Sequence, residues 1–336
     1  MHDVARLAGV SIATVSALIN GAPRVSAVRA QRIRSAMQSL DYHPDQIARS
    51  LKVGRTQTIG VVIPDITNDF YPAVFRGIED AARSAGYSVL LCNSNESAEQ
   101  ERVQLSTLFA RRVDGVLLAC SSGSNIYETP LYRRFPLVFV DRIPQGITHG
   151  AVCTDNVEAG LIATEHLIGL GHRRIALLAG DLKLTPHAER LEGFRKAMQR
   201  AGLPVHDHYL CAGGMRIEDG ARLTAQLLKA KVPPTAIIAS NGKLLLGLLS
   251  IIREERKRIP TDLSVLAFDE HEWSGYLDPP LTAVVQPTYA LGRRAFEMLQ
   301  GKIAPQTAAD DRDEVIRLSG ELRVGGSTDK PARTPV

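Results

Sequence analysis

From Ile59 onward, short apolar runs rich in β-branched residues alternate with amphipathic stretches, and this alternation limits the folds open to the chain. "IGVVIP", "YSVLLCN", "VDGVLLA", "PLVFVD" and "AVCTDN" read as strands. Between them lie the helical "YPAVFRGIEDAARSAG" and "SAEQERVQLSTLFARR", the latter opening with Ser97 and Gln100 in capping-box positions. After Asn156 the rhythm restarts: helix "VEAGLIATEHLIGLG", strand "RRIALLAG", helix "HAERLEGFRKAMQRAG", a helix over 216–230, strand "TAIIAS", a helix over 242–256 and strand "SVLAFD". Such alternation predicts parallel sheets covered on both faces, and about 275 residues suffice for two of them. Ligands of open α/β sheets sit beyond the carboxyl ends of the strands, so "VIPDITNDF", "VFVDR", "LLAGD", "IIASN" and "LAFDE" are the loops to search.

The first fifty residues follow a different pattern. Val4, Ala8, Val10, Val15, Leu18 and Ile19 fit two short helices with facing apolar sides, broken at Gly9, where glycine takes a left-handed turn without steric cost. Ser11 is placed to cap the second helix, and Ser26 opens a third in which Ile33, Met37 and Leu40 recur at helical spacing before Pro44. The turn "AGVS" between short helices is the mark of a helix-turn-helix; a three-helix cap or dimerisation piece would need the same apolar positions. Charge favours the first reading. Residues 1–58 hold 8 Lys and Arg against 3 acids, a net of +5 in a chain whose total is +4, so a small basic head sits on a neutral body and suits a polyanion. The outward residues of the second helix, Ile12, Ala13, Thr14, Ser16, Ala17 and Asn20, include no charge. Hydroxyls and an amide can bond phosphates and bases, whereas small apolar groups touch thymine methyls.

The chain start places charges where a signal peptide needs an apolar run, and no stretch approaches the roughly 20 apolar residues that span a bilayer, so a cytoplasmic protein without membrane association is expected. Cys92, Cys120, Cys153 and Cys211 are scattered without CxxC pairing and read as reduced thiols. His206 and His208 in "VHDHY" have no third ligand at metal-site spacing. No nucleophile elbow, Walker loop or dinucleotide fingerprint is present. No metal, no cofactor and no catalysis are therefore expected.

The stretches "HDVARLAGVSIATVS", "PRVS", "DYHPDQIARSLKVGRTQTIGVVIPD", "TNDFY", "HRRIALLAG", "ERLEGFRKAM" and "DPPLTAVVQP" together resemble the LacI/GalR family of bacterial transcriptional regulators. The resemblance implies an α/β protein with an all-α helix-turn-helix domain over 1–44 and a hinge helix and linker over 45–57. It implies a core over 58–325 like periplasmic sugar-binding proteins, with two parallel-sheet subdomains, 58–156 with 287–313 and 157–286 with 314–325, and then a tail over 326–336. From Gly325 onward the chain reads as solvated. The implied function is a ligand-responsive repressor that binds a near-palindromic operator as a homodimer, or as a tetramer. An effector (sugar, sugar acid or sugar phosphate) between the subdomains alters its operator affinity.

Carried over by residue, the resemblance puts Ile12, Ala13 and Ala17 against bases and Thr14, Ser16, Asn20 and Arg24 against phosphates, with Arg24, Arg29 and Arg49 carrying the electrostatic share. The family often has arginine where Ala17 stands, which implies a different operator preference here. "DQIARSLK" is too short to be a stable helix alone and should fold only as a pair on DNA. There the resemblance makes Leu51 a minor-groove wedge, lets the helices approach at Ala48 and sets Arg49 and Lys52 near phosphates. Asp45 departs from the family's asparagine. For the effector, Phe70 and Tyr71 could stack on a sugar ring, Asp141, Arg142, Arg190, Asn241 and Asp269 supply polar contacts from strand ends, and Trp273 borders the same cleft by resemblance. His187 and Lys183 beside the arginines add an anionic ligand to the alternatives. Two rivals of other classes are a solute-binding protein without DNA function and a sugar-modifying α/β enzyme.

Overall fold

Helices α1 (His2–Ala8), α2 (Ile12–Ile19) and α3 (Ala27–Ser39) build the first unit. In this computed structural model the described residues are 1–19, 25–42, 55–121, 127, 129, 135–144, 150–269, 272–303 and 314–332. They divide into two units, Met1–Thr56 and Gln57–Val336. In the first, Gly9 ends α1 at φ 61, and the Val10 N–H reaches back to Ala5 O at 3.0 Å. That six-to-one bond closes the helix and turns the chain by 102° into α2. Ser11 caps α2 by accepting the Thr14 N–H at 3.2 Å. Val4, Ala5 and Ala8 of α1, Val15 of α2 and Ile33 and Ala36 of α3 form the core. Leu40, expected on the apolar face, is 43% exposed because α3 stops at Ser39, and Ala30 and Ala36 take the buried places instead.

In the second unit the first half runs β1 (Thr58–Ile63), α4 (Phe70–Ser84), β2 (Ser88–Asn93), α5 (Ala98–Ala110), β3 (Gly115–Leu118), β4 (Leu137–Val140) and β5 (Ala151–Thr154). The second runs α6 (Asn156–Gly169), β6 (Ile175–Gly180), α7 (Thr185–Arg200), β7 (Leu210–Ala212), α8 (Ile217–Leu228), β8 (Ala236–Ala239), α9 (Gly242–Glu254), β9 (Ser264–Phe268) and β10 (Thr282–Val285). The chain then forms α10 (Thr288–Ile303), β11 (Val315–Leu318) and β12 (Glu321–Arg323). Among the described residues there are two six-stranded sheets, β11-β5-β4-β3-β1-β2 and β12-β10-β9-β8-β6-β7. Every pairing is parallel except β10 with β12. Strands β3, β4, β8 and β9 are buried along their whole length, as a sheet covered on both faces requires.

Three features depart from the sequence expectations. The short β7, β10 and β12, of three or four residues each, are too brief to announce themselves by pattern. Strand β11, placed by the expected boundary in the second subdomain, instead extends the first sheet: it pairs in parallel with β5 from Val315↔Ala151 to Leu318↔Thr154. The chain crosses between sheets only after Leu318, since that pairing satisfies the open edge of β5. Residues 326–332 are not a free solvated tail. Ser327 is buried, its Oγ donating to Val265 O at 2.6 Å and accepting the Thr282 N–H at 2.7 Å. His172 contacts Asp329 O at 2.8 Å, so the strap covers the lower edge of β9 and β10.

Three helix pairs cover these sheets by meeting backbone to backbone at glycines. A Cβ on Gly160 of α6 would stand 2.3 Å from Arg190 O of α7, and one on Gly193 of α7 would stand 2.1 Å from Val157 O of α6. The same reciprocal contact joins Gly77 of α4 with Gly292 of α10, and Gly220 of α8 with Gly247 of α9.

Candidate functional site

In the first unit the candidate residues lie along α2. Ile12 and Ala13 at the start of α2 are exposed, Thr14, Ser16 and Ala17 half-buried, and Val15 fully buried beneath them. Burying Val15 points Ala13 and Ala17, two residues to either side, to roughly the opposite face and sets Thr14 and Ser16 on the flanks, while Ile12, on the Val15 side, is exposed at the first position of α2. Arg29, Arg32 and Arg34 are exposed on α3. Asn20, Arg24, Ala48, Arg49, Leu51 and Lys52 lie outside the described residues.

In the second unit the carboxyl ends of β1, β2, β4, β6, β8, β9 and β10 meet around one cleft of about 430 Å³. Seven residues singled out in the sequence line it together: Phe70, Tyr71, Asp141, Arg142, Arg190, Asn241 and Asp269. Phe70 and Tyr71 open α4 with ring centroids 5.1 Å apart, edge to face. Asp141 and Asp269 leave β4 and β9 in the left-handed region, at φ 67 and 72. Asparagine and aspartate tolerate that conformation better than other residues with a side chain. Asn241 serves two ends: its Oδ1 caps α9 by accepting the Leu244 N–H at 2.8 Å, and the residue lines the cleft. Trp273 is absent from the described lining. It packs on the apolar cluster of Leu244, Leu263 and Leu281, because the short helix Glu272–Tyr276 folds back over the core. Lys183 is exposed and also outside the lining.

Within the cleft almost every charge already has a partner. The Tyr71 hydroxyl donates to Asp141 Oδ2 at 3.0 Å, and burial pushes its pKa far up, so it stays a donor. Burial also raises the Asp141 carboxyl, against the pull of Arg142 and Arg190. Arg142 donates from Nη1 and Nη2 to both oxygens of Glu96, at 2.7 and 2.8 Å, and from Nη1 to Cys120 O at 3.1 Å. Arg190 lies over the Phe268 ring, 4.2 Å from its centroid; Nε donates to Asn156 Oδ1 at 2.9 Å and Nη1 to Ser240 O. His187 is held neutral well below its ordinary pKa, by burial first and then by Arg190 and Arg142. Gly180 at the end of β6 makes room for that ring, since a Cβ there would meet Nδ1 at 2.8 Å.

The two subdomains are also tied across the cleft. Lys243 at the start of α9 pairs with Asp65 after β1 and donates to Thr67 Oγ1 at 2.9 Å. Burial works to raise the Asp65 carboxyl, but the bonds from Lys243 and Thr67 outweigh it and hold the pKa down. At the back, Thr154 Oγ1 donates to Gln286 Oε1 at 2.7 Å, and Gln286 Nε2 donates to Asp269 Oδ1 at 2.6 Å. A rigid shelf of donors and acceptors around two aromatic faces suits a small polyhydroxyl ligand.

Comparison with known proteins agrees with this architecture. Residues 1–45 match the model for bacterial regulatory proteins of the lacI family, and residues 164–328 match that for a periplasmic binding protein-like domain. The ribose operon repressor of Escherichia coli is 36% identical over 329 residues, 97% of this chain and 99% of that protein. The chain belongs to the LacI family. A crystal structure of the lac repressor dimer bound to operator and the anti-inducer ONPF superposes on this LacI-family protein with a TM-score of 0.84 at 27% identity, covering 97% of this chain and 98% of that one. A LacI-family regulator from Enterococcus faecium with bound ribose gives a TM-score of 0.70 at 31% identity, covering 81% and 99%. In this LacI-family cleft the residues that the sequence reading missed include Asp65, Asn68, Glu96, Met215, Lys243 and Gln286, while His187, read beside the arginines, does line it. Glu96 follows a strand end as Asp141 does, so the carboxyl-end rule applied to "LLCNSNE" would have found it. Gln286 had the same signal once "TAVV" was read as a strand.

Proposed function

We propose that this LacI-family chain is a ligand-responsive repressor that binds a near-palindromic operator as a homodimer and takes a sugar between its subdomains. The convergence of Tyr71, Asp141, Arg142, Arg190 and Asp269 from both sheets into one cleft carries the reading. A ligand held by strand ends of both subdomains fixes the angle between them, and that angle decides whether the paired hinge helices form. In this reading Ile12, Ala13 and Ala17 face bases; Thr14, Ser16, Asn20, Arg24 and Arg29 hold phosphates; Leu51 enters the minor groove beside Ala48, Arg49 and Lys52. Phe70 stacks on the sugar, while Asn241 and the charged residues bond its hydroxyls. The ribose operon repressor relative and the ribose-bound neighbour make a pentose the first ligand to try. The paired charges of the cleft favour a neutral sugar over a sugar acid or sugar phosphate.

The reader unit and the repressor relative support a regulator over a solute-binding protein or a sugar-modifying enzyme. Operator affinity measured by fluorescence anisotropy across a D-ribose titration should change by about 5- to 150-fold, the usual range of allosteric coupling. Deleting residues 1–52 should abolish operator binding and its steep salt dependence while sugar binding persists. Identical operator affinity at every concentration of pentose, hexose and their derivatives would remove the coupling.

A further inference from the structure

Glu96 is the cleft residue whose role a sugar site leaves open. It follows Asn95 after β2, both in left-handed backbone at φ 57 and 51, and its N–H donates to Pro64 O at 2.8 Å, which anchors the loop beside the end of β1. From this anchor its carboxylate meets Arg142 fork to fork, the geometry of the strongest charge-assisted pairs. The Arg142 side chain is only 5% exposed. Its remaining Nε–H and one Nη2–H have no acceptor within hydrogen-bond distance among the described residues, Asp141 Oδ2 standing 3.8 Å from Nε. A buried guanidinium with an empty fork would grip a ligand carboxylate or phosphate. Here the chain fills the outer Nη1/Nη2 fork itself and balances the guanidinium charge with Glu96. Two of the other three cations of the cleft are occupied likewise, Lys243 by Asp65 and Arg190 by Asn156, Ser240 and the Phe268 ring, while Arg216 stands at the start of α8. Around the described lining, six carboxylates face four Lys and Arg side chains.

We propose that Glu96 sets the charge of the effector: by occupying the outer nitrogens of Arg142 it makes the cleft select an uncharged sugar against the corresponding sugar acid or sugar phosphate. This rests on the sugar reading above. With its charge balanced by Glu96, Arg142 keeps Nε–H and one Nη2–H for ligand hydroxyls, and an incoming anion meets a surplus of carboxylates in a site where charge is poorly screened.

The test is calorimetric titration of the full chain with D-ribose, D-ribonate, D-ribose 5-phosphate, D-glucose and D-gluconate, for the natural protein, Glu96→Gln and Glu96→Asp. The natural protein should prefer its neutral sugar over the matching anion by at least about 100-fold, as like-charge juxtaposition implies. Glu96→Gln should narrow that ratio by about 10-fold or more through a gain in anion binding. Glu96→Asp keeps the charge and should keep the ratio within about 3-fold of the natural one, even where all affinities fall. A merely structural role would weaken neutral and anionic ligands together in both variants. Thermal melts of the same preparations confirm that the variants are folded. Anions bound by the natural protein as tightly as neutral sugars, or an unchanged ratio in Glu96→Gln, would overturn the charge selection and leave the sugar site standing. Binding of none of the five by a protein that still binds operator would overturn the sugar reading and this inference with it.

Discussion

Asp141 and Asp269 hold equivalent places at the ends of β4 and β9, each in the left-handed region and each facing the cleft. That conformation costs an ordinary side chain about 1–2 kcal/mol, so the backbone as well as the carboxylate suits aspartate. The two properties separate by mutation. Asp269→Asn keeps the backbone preference and loses the charge: effector affinity should fall by about 10- to 100-fold with little change in melting temperature. Asp269→Ala should lose the same affinity and about 1 kcal/mol of stability besides. Calorimetry and melting curves on the pair check this, and equal stability of the two variants would dismiss the backbone part. Both aspartates were legible in the sequence because each ends an apolar β-branched run, and a strand end is where an α/β sheet puts its ligand. Trp273 misled because an aromatic beside such an end can turn either to the cleft or to the core, and the sequence holds no term that decides. The role of Lys243 was not legible, because its partner Asp65 lies 178 residues away, a pairing that only the closed sheets reveal.

At the scale of elements, the glycine crossings explain where Arg190 stands. Its carbonyl is the atom that a Cβ on Gly160 would strike, so the approach of α6 sets the depth of α7, and Asn156 at the start of α6 then orients the guanidinium. Gly160→Ala should destabilise the core by about 1–3 kcal/mol, the usual cost of overpacking, and weaken effector binding at the same time. Gly169→Ala, in the same helix with open space at its Cβ, should be neutral or stabilising by up to about 1 kcal/mol. Scanning calorimetry with ligand titration distinguishes them; a harmless Gly160→Ala would mean that the helices part freely. The helices themselves were clear from their period and caps, Ser97 accepting the Gln100 N–H at 3.3 Å as its position suggested. Only half of that capping box forms, because Gln100 Oε1 accepts from Asn95 instead. The crossings were not legible: a glycine within a helix announces a missing Cβ, not the helix that comes to fill the space.

For the whole molecule, three histidines titrate against folding. Burial lowers the pKa of His166, His172 and His187, so the folded chain keeps them neutral while the unfolded chain takes up protons below about pH 6.5. Their contribution is complete above that value and is lost as the pH falls through it. The melting temperature should therefore decline from pH 7.5 to pH 5.5, and His187→Gln should remove part of the slope while His166 and His172 keep the rest. A flat profile, or an unchanged slope in the variant, would contradict the assignment. Another property of the whole follows from the helix pairs that meet without side chains between them. Such contacts hold each sheet and its helices closely together, and the chain passes between the two sheets at three segments, near Thr154, Gln286 and Ser319. Thr154 and Gln286 are bonded to each other on that line, and Ser319 donates to Glu158 at 2.7 Å beside it. A turn of one sheet against the other is therefore expected to pivot on that line.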